Sequence, residues 1–128
     1  MPQLMDGADI IVTKAGPATI TEAAIAVLPM ILMDAIPGQE DGNVEYVIAN
    51  NAGAWAPEPQ QVASYVRTWL DEGEDALKQK AENAKRIARP NAVWDICDTV
   101  MKWANHTPIK NPERLWKRTR RRFVSMRR

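Results

Sequence analysis

Thr13-Lys14-Ala15-Gly16-Pro17-Ala18-Thr19-Ile20-Thr21-Glu22 is a loop of small residues between an apolar stretch, Ile10-Ile11-Val12, and the start of a helix. Free backbone N–H groups and the positive end of the helix dipole meet in such a loop, and together they suit an anion such as a phosphate. Gly16 lets a ligand approach the backbone closely. Thr19 and Glu22, a turn apart, are neighbours on the helix, while Ile20, Ala23, Ala24 and Val27 recur at the spacing of a buried face. A hydroxyl and a carboxylate therefore share one flank beside the anion site. A carboxylate placed there can accept hydrogen bonds from a ribose diol, as an acidic residue does in dinucleotide folds. The pattern is neither a GxGxxG nor a Walker loop, so spacing alone leaves a plain helix start with a solvated glutamate equally open.

A second polar cluster, Pro37-Gly38-Gln39-Glu40-Asp41-Gly42-Asn43, follows the apolar run Met30-Ile31-Leu32-Met33. Open α/β sheets bind ligands at the carboxyl ends of their strands. The acids and amides of this cluster offer acceptors and donors for several hydroxyls, as sugar recognition requires. The alternative is a plain turn in which Asn43 caps the next helix. The remaining reactive residues point away from catalysis. His106, the single histidine, follows a predicted helix end and suits a cap or a solvated position better than a general base. Cys97, the single cysteine, can form neither an internal disulfide nor a metal site alone, and on the apolar stripe of a helix it reads as a core thiol. No metal site is expected.

The elements that must hold these loops follow a strand–helix rhythm. Ile10 to Val12 reads as a short buried strand, with Gly16 as N-cap and Pro17 as first residue of the helix that follows. Met30 to Met33 is a second strand, apolar throughout and so suited to a parallel sheet covered on both sides. Residues 43 to 50 form a short helix, and Ala54-Trp55-Ala56 a third strand. Helices are then predicted from Pro59 to Leu70 (Val62, Tyr65, Val66 and Trp69 aligned), from Glu74 to Ala88, and from Pro90 to Ala104. The last carries Val93, Ile96, Cys97, Val100 and Ala104 on one stripe. The rhythm is that of an α/β protein with parallel strands.

Composition is that of an ordinary globular protein: 128 residues, 45% hydrophobic, 17 bases against 16 acids. The near balance conceals an asymmetry, because residues 1 to 70 hold two bases and eight acids and residues 71 to 128 fifteen bases and eight acids. The tail from Lys110 to Arg128 alone has nine bases and one acid. Trp116 beside Lys117, Arg118, Arg120, Arg121 and Arg122 makes this tail a candidate contact for an anionic membrane surface. No nucleic-acid recognition module accompanies it. The longest apolar run, Ala23 to Met33, has eleven residues and contains Pro29, whereas a spanning helix needs about 20. The first residues lack a basic and then apolar signal-peptide pattern, so neither a signal peptide nor a transmembrane segment is expected.

The two loops in this order carry a resemblance. Asp9 to Ala23, then Leu28-Pro29, then Ile36 to Val44, with Ala88-Arg89-Pro90-Asn91-Ala92-Val93 as a later helix start, resemble glycosyltransferase family 28, and within it the diacylglycerol glycosyltransferases that include the monogalactosyldiacylglycerol synthases. The likeness runs over roughly residues 1 to 104. It implies part of the Rossmann-like C-terminal domain of a GT-B fold, with a nucleotide-sugar-binding domain over residues 1 to 106 and the basic tail over 107 to 128. It further implies UDP-galactose as donor substrate, diacylglycerol as acceptor, no cofactor, and a peripheral place at the chloroplast envelope. By the same resemblance Gly16, Pro17 and Thr19 lie at the diphosphate, Glu22 at the ribose, and Gln39 and Glu40 at the sugar hydroxyls, with Asn43 supporting that loop and Lys14 facing the cleft. Ala18 stands where the motif usually has glycine. The acceptor site and the catalytic base belong to an N-terminal domain with no counterpart here, so the chain resembles a terminal fragment and no turnover is expected of it alone. A UDP-glucose or UDP-GlcNAc donor, and a non-catalytic subunit that docks on a separate membrane-bound acceptor subunit, are the alternatives.

Overall fold

The computed structural model describes residues 2–106. Its elements are α1 (Pro2–Met5), β1 (Ile11–Lys14), α2 (Pro17–Ile25), β2 (Met30–Asp34), α3 (Asp41–Ala49), β3 (Gly53–Trp55), α4 (Pro59–Asp71), α5 (Glu74–Ile87) and α6 (Ala92–His106). The single-turn helix α1 has no counterpart in the expectations from sequence. By its internal contacts the chain divides into two units, Met1–Pro90 and Asn91–Arg128.

The first unit is an α/β layer structure around a three-stranded sheet in the order β1-β2-β3. All pairings are parallel, Val12 facing Ile31 and Ile31 facing Ala54. β2 is central, and its Met30, Ile31 and Leu32 are fully buried. Side chains of a strand alternate between faces, so Met30 and Leu32 join Ile20, Ala23, Ala24, Val47, Ala84 and Ile87 on one side of the sheet. Ile31 meets Ala56 and Trp69 on the other, with Val62 and Val66 of α4 around them. A stretch covered on both faces has to be apolar, as Met30 to Leu32 is, while Met33 and Asp34 at the end of the strand are exposed. β1 departs from its expected burial, because it stands at the edge of the sheet. Ile11, Thr13 and Lys14 are half-buried there and Val12 is exposed.

The close fit of the sheet to α3 depends on Gly53. Any side chain at this position would collide with the Met30 carbonyl and lie 2.7 Å from Val47 Cγ1. α4 opens with Pro59 in its first turn and a capping box, in which Glu58 N–H donates to Gln61 Oε1 at 3.1 Å. α2 and α3 both end in the reciprocal bonds of a Schellman cap. In the first, Val27 N–H reaches Ala24 O and Leu28 N–H reaches Ala23 O; in the second, Asn51 N–H reaches Ile48 O and Ala52 N–H reaches Val47 O. Val27 and Asn51 consequently carry φ of 60° and 51°.

The second unit contributes α6 to the described residues. Its apolar side chains Val93, Ile96 and Val100 are exposed, and so is Cys97. The expected core thiol is therefore corrected: periodicity shows which residues share a stripe, but a stripe is buried only where another surface covers it. No described helix is long and apolar enough to cross a membrane.

Candidate functional site

Parallel pairing places the carboxyl ends of β1 and β2 side by side, so the loops that leave them emerge together. The ladder is irregular at this end. Register shifts between Thr13 and Lys14, Lys14 facing Asp34, and the next amide, Ala15 N–H, donates to Asp34 O at 2.7 Å. Ala15 is fully buried. The chain then turns into α2 at Gly16, the N-cap, with φ −72° and ψ 135°, and Pro17 occupies the first turn. The first helical bond runs from Ile20 N–H to Gly16 O at 3.0 Å. No side chain caps this end, and among the described residues the amides of Ala18 and Thr19 meet no acceptor. An uncapped N-terminus with free donors beside a glycine has the composition of an anion site.

The second loop is built around a buried acid. Glu40 is 6% exposed, an unusual state for a carboxylate, and its Oε2 accepts the Ile36 N–H at 2.8 Å. The same oxygen lies 3.4 Å from Lys14 Nζ, whose side chain is 42% exposed. Gly38 turns the chain at φ 76°, donating its N–H to Asp41 Oδ2 at 2.7 Å. Asn43 does not cap α3, because the helix begins at Asp41 with Glu40 as its N-cap residue. Its amide instead crosses to the first loop, Nδ2 donating to Ala15 O at 2.9 Å.

Lys14, Ala15 and Gly16 of one loop thus meet Glu40 and Asn43 of the other. Thr19 is half-buried in the first turn of α2, and Glu22 is exposed one turn further on. Gln39 is exposed beside Glu40. Neither the Glu22 carboxylate nor the Gln39 amide has a hydrogen bond or ion pair among the described residues, so both keep their bonding capacity for a ligand. The burial of Glu40 and the reach of Asn43 are what the sequence did not disclose. Their signal was the dense polarity of Gln39 to Asn43, which names the loop without telling which side chain turns inward. Among the described residues no group of His, Cys, Asp and Glu side chains converges as a metal site. Trp116, Lys117, Arg118, Arg120, Arg121 and Arg122 lie outside the described residues. So does the His106 side chain.

Residues 1–96 match the model of the glycosyltransferase family 28 C-terminal domain. This chain belongs to that family. Among similar proteins, monogalactosyldiacylglycerol synthase 3, chloroplastic, of Arabidopsis thaliana is 48% identical over 100 residues, which is 78% of this chain and 22% of the relative. A probable monogalactosyldiacylglycerol synthase, chloroplastic, of Nicotiana tabacum is 48% identical over 96 residues, 75% of this chain and 18% of its own length. A probable monogalactosyldiacylglycerol synthase 2, chloroplastic, of Oryza sativa subsp. indica is 45% identical over 102 residues, 80% of this chain and 22% of the relative. The matched part of this family 28 chain spans about a fifth of the relatives' length.

Proposed function

We propose that this chain is the nucleotide-sugar-binding part of a UDP-galactose:1,2-diacylglycerol galactosyltransferase, which forms monogalactosyldiacylglycerol with inversion at the sugar. The observation that supports this most is the meeting of the two loops at the carboxyl edge of parallel strands, with free amides at Ala18 and Thr19 on one side and free polar side chains at Glu22 and Gln39 around them. In this reading the α2 N-terminus receives the diphosphate at Gly16, Pro17 and Thr19, Glu22 accepts the ribose hydroxyls, and Gln39 faces the sugar together with the Oε1 of Glu40, whose Oε2 is held by Ile36 and Lys14. Asn43 and Lys14 complete the cleft.

In inverting transfer the acceptor hydroxyl attacks the anomeric carbon while the bond from that carbon to the UDP oxygen breaks, and a base takes the hydroxyl proton. The leaving diphosphate gains negative charge as the bond breaks. Backbone donors already aimed at it at the α2 N-terminus lower the barrier without having to reorganise. In this reading the residues of this chain hold the donor, and neither the base nor the diacylglycerol site is assigned to them. The relatives' names place them in the chloroplast. For this protein we assign a peripheral position at the chloroplast envelope, with the basic tail on anionic lipid.

Calorimetric titration of UDP and UDP-galactose into the 128-residue chain tests the reading. Glu22→Ala should weaken both ligands, and Gln39→Ala only the one that carries a sugar. A folded wild-type chain that binds neither would overturn the assignment.

A further inference from the structure

Glu40 and Asn43 stand in the loop assigned to the sugar, yet both side chains are turned toward the other loop. Asn43 Nδ2 donates to Ala15 O at 2.9 Å, and Ala15 is the residue immediately before the α2 N-cap. Glu40 is buried with Oε2 shared between the Ile36 N–H and Lys14 Nζ. Two adjacent residues of the first loop, Lys14 and Ala15, are thus each tied to the second loop by a side chain. The backbone bond at this point, Ala15 N–H to Asp34 O at 2.7 Å, ties Ala15 to the end of β2 and not to the second loop, whose own amides at Gln39, Glu40, Asn43 and Val44 bond back to Ile36 O or Glu40 O.

We propose that Asn43 is a positioning residue for the nucleotide end of the site: its amide holds the Ala15 carbonyl, and through it the direction in which the α2 amides point, while Glu40 holds the Lys14 ammonium beside that turn. The proposal rests on the donor-binding reading above and adds a coupling to it. A substitution in the sugar loop should weaken a ligand that has no sugar. Asn43 is the cleaner probe, because removing its amide changes no charge near the diphosphate, whereas a change at Glu40 also alters the local field. The bond at stake is between a neutral donor and a part-buried carbonyl, and losing it together with the order it imposes corresponds to roughly 5- to 10-fold in affinity.

The experiment uses the 128-residue chain with Asn43→Ala and the near-isosteric Asn43→Leu, titrated with UDP and with UDP-galactose, and with Gln39→Ala as the sugar-only control. Thermal unfolding establishes that each variant is folded at the titration temperature, so loss of fold is not counted as loss of affinity. Both Asn43 variants should weaken UDP and UDP-galactose by the same factor, leaving their ratio as in wild type. UDP affinity at the wild-type level with only UDP-galactose weakened would make Asn43 a direct sugar contact and overturn the proposal. Amide hydrogen exchange without ligand separates this from the donor reading. Exchange at Ile20, whose N–H bonds to Gly16 O, should quicken in Asn43→Ala relative to amides of α4. Should wild type bind no UDP, the donor reading fails while exchange still decides the coupling, and unchanged exchange at Ile20 would sink it.

Discussion

A methyl group at Gly16 would come no closer than 4.0 Å to the nearest outside atom, Glu40 Oε1, and the φ of −72° is one that any residue adopts. Neither packing nor backbone conformation requires glycine there. Glycine is favoured at an N-cap, and on the proposed reading it also lets the diphosphate approach the backbone. Gly16→Ala should therefore lower stability by no more than a weakened N-cap, about 1 kcal/mol, leaving the chain folded while UDP affinity falls sharply. Equal affinity in the variant would remove the diphosphate from this position. Gly53 makes the opposite case. A Cβ there meets the Met30 carbonyl and Val47 Cγ1, atoms of the packed sheet and of α3 that cannot step aside. Gly53→Ala should lower stability by about 1–3 kcal/mol, the usual effect of overpacking, and denaturant unfolding would show it. The sequence displays both glycines alike. Only the neighbours distinguish a position with open space around it from one closed by a strand.

Where elements begin and end was largely legible, and the reasons are local. Gly16-Pro17 marks the start of α2 because a proline at the first turn gives up an N–H that has no partner in any case. The uninterrupted apolar run of β2 announced a strand with both faces covered. Burial within elements was less legible, since it depends on what lies across from them. β1 is apolar at Ile10 to Val12 yet half-exposed as an edge strand, and Glu40, an acid, is among the buried residues. The loops themselves could be located by their composition, but the bond from Asn43 to Ala15 joins residues 28 apart in sequence and no local pattern encodes it. Nor does local pattern reveal Val27 as the left-handed residue of the α2 cap, a place that usually goes to glycine. A β-branched residue there stores conformational strain of about 1–2 kcal/mol. Val27 is also half-buried, so replacing it forfeits some packing. Val27→Gly should raise stability by about 1 kcal/mol or slightly less, readable as a higher unfolding midpoint. A lower midpoint would show that the valine side chain contributes more by its packing than its backbone loses.

At the scale of the molecule, the candidate site and the basic charge are divided along the chain. The buried core residues of the first unit run from Met5 to Ile87, and no residue of α6 belongs to either cluster. Both loops of the candidate site lie within the same unit, Met1–Pro90. The basic residues concentrate at the other end, nine of them between Lys110 and Arg128. Donor binding and lipid attraction should on this basis separate when the chain is cut. Ending the chain after Pro90 should leave a cooperatively unfolding protein with UDP affinity unchanged, because the clustered core residues and both loops lie within Met1–Pro90. The same cut should abolish binding to vesicles of anionic lipid. In the full chain that binding should weaken steeply with salt, since each base near the surface contributes about 1 kcal/mol by an attraction that dies away within a Debye length. Vesicle sedimentation at two salt concentrations, alongside titration of both chains with UDP, checks each half. A shortened chain that still sediments with anionic vesicles would move the lipid contact out of the tail and into the domain that carries the loops. A shortened chain that unfolds would instead make Asn91–Arg128 part of what holds that domain together.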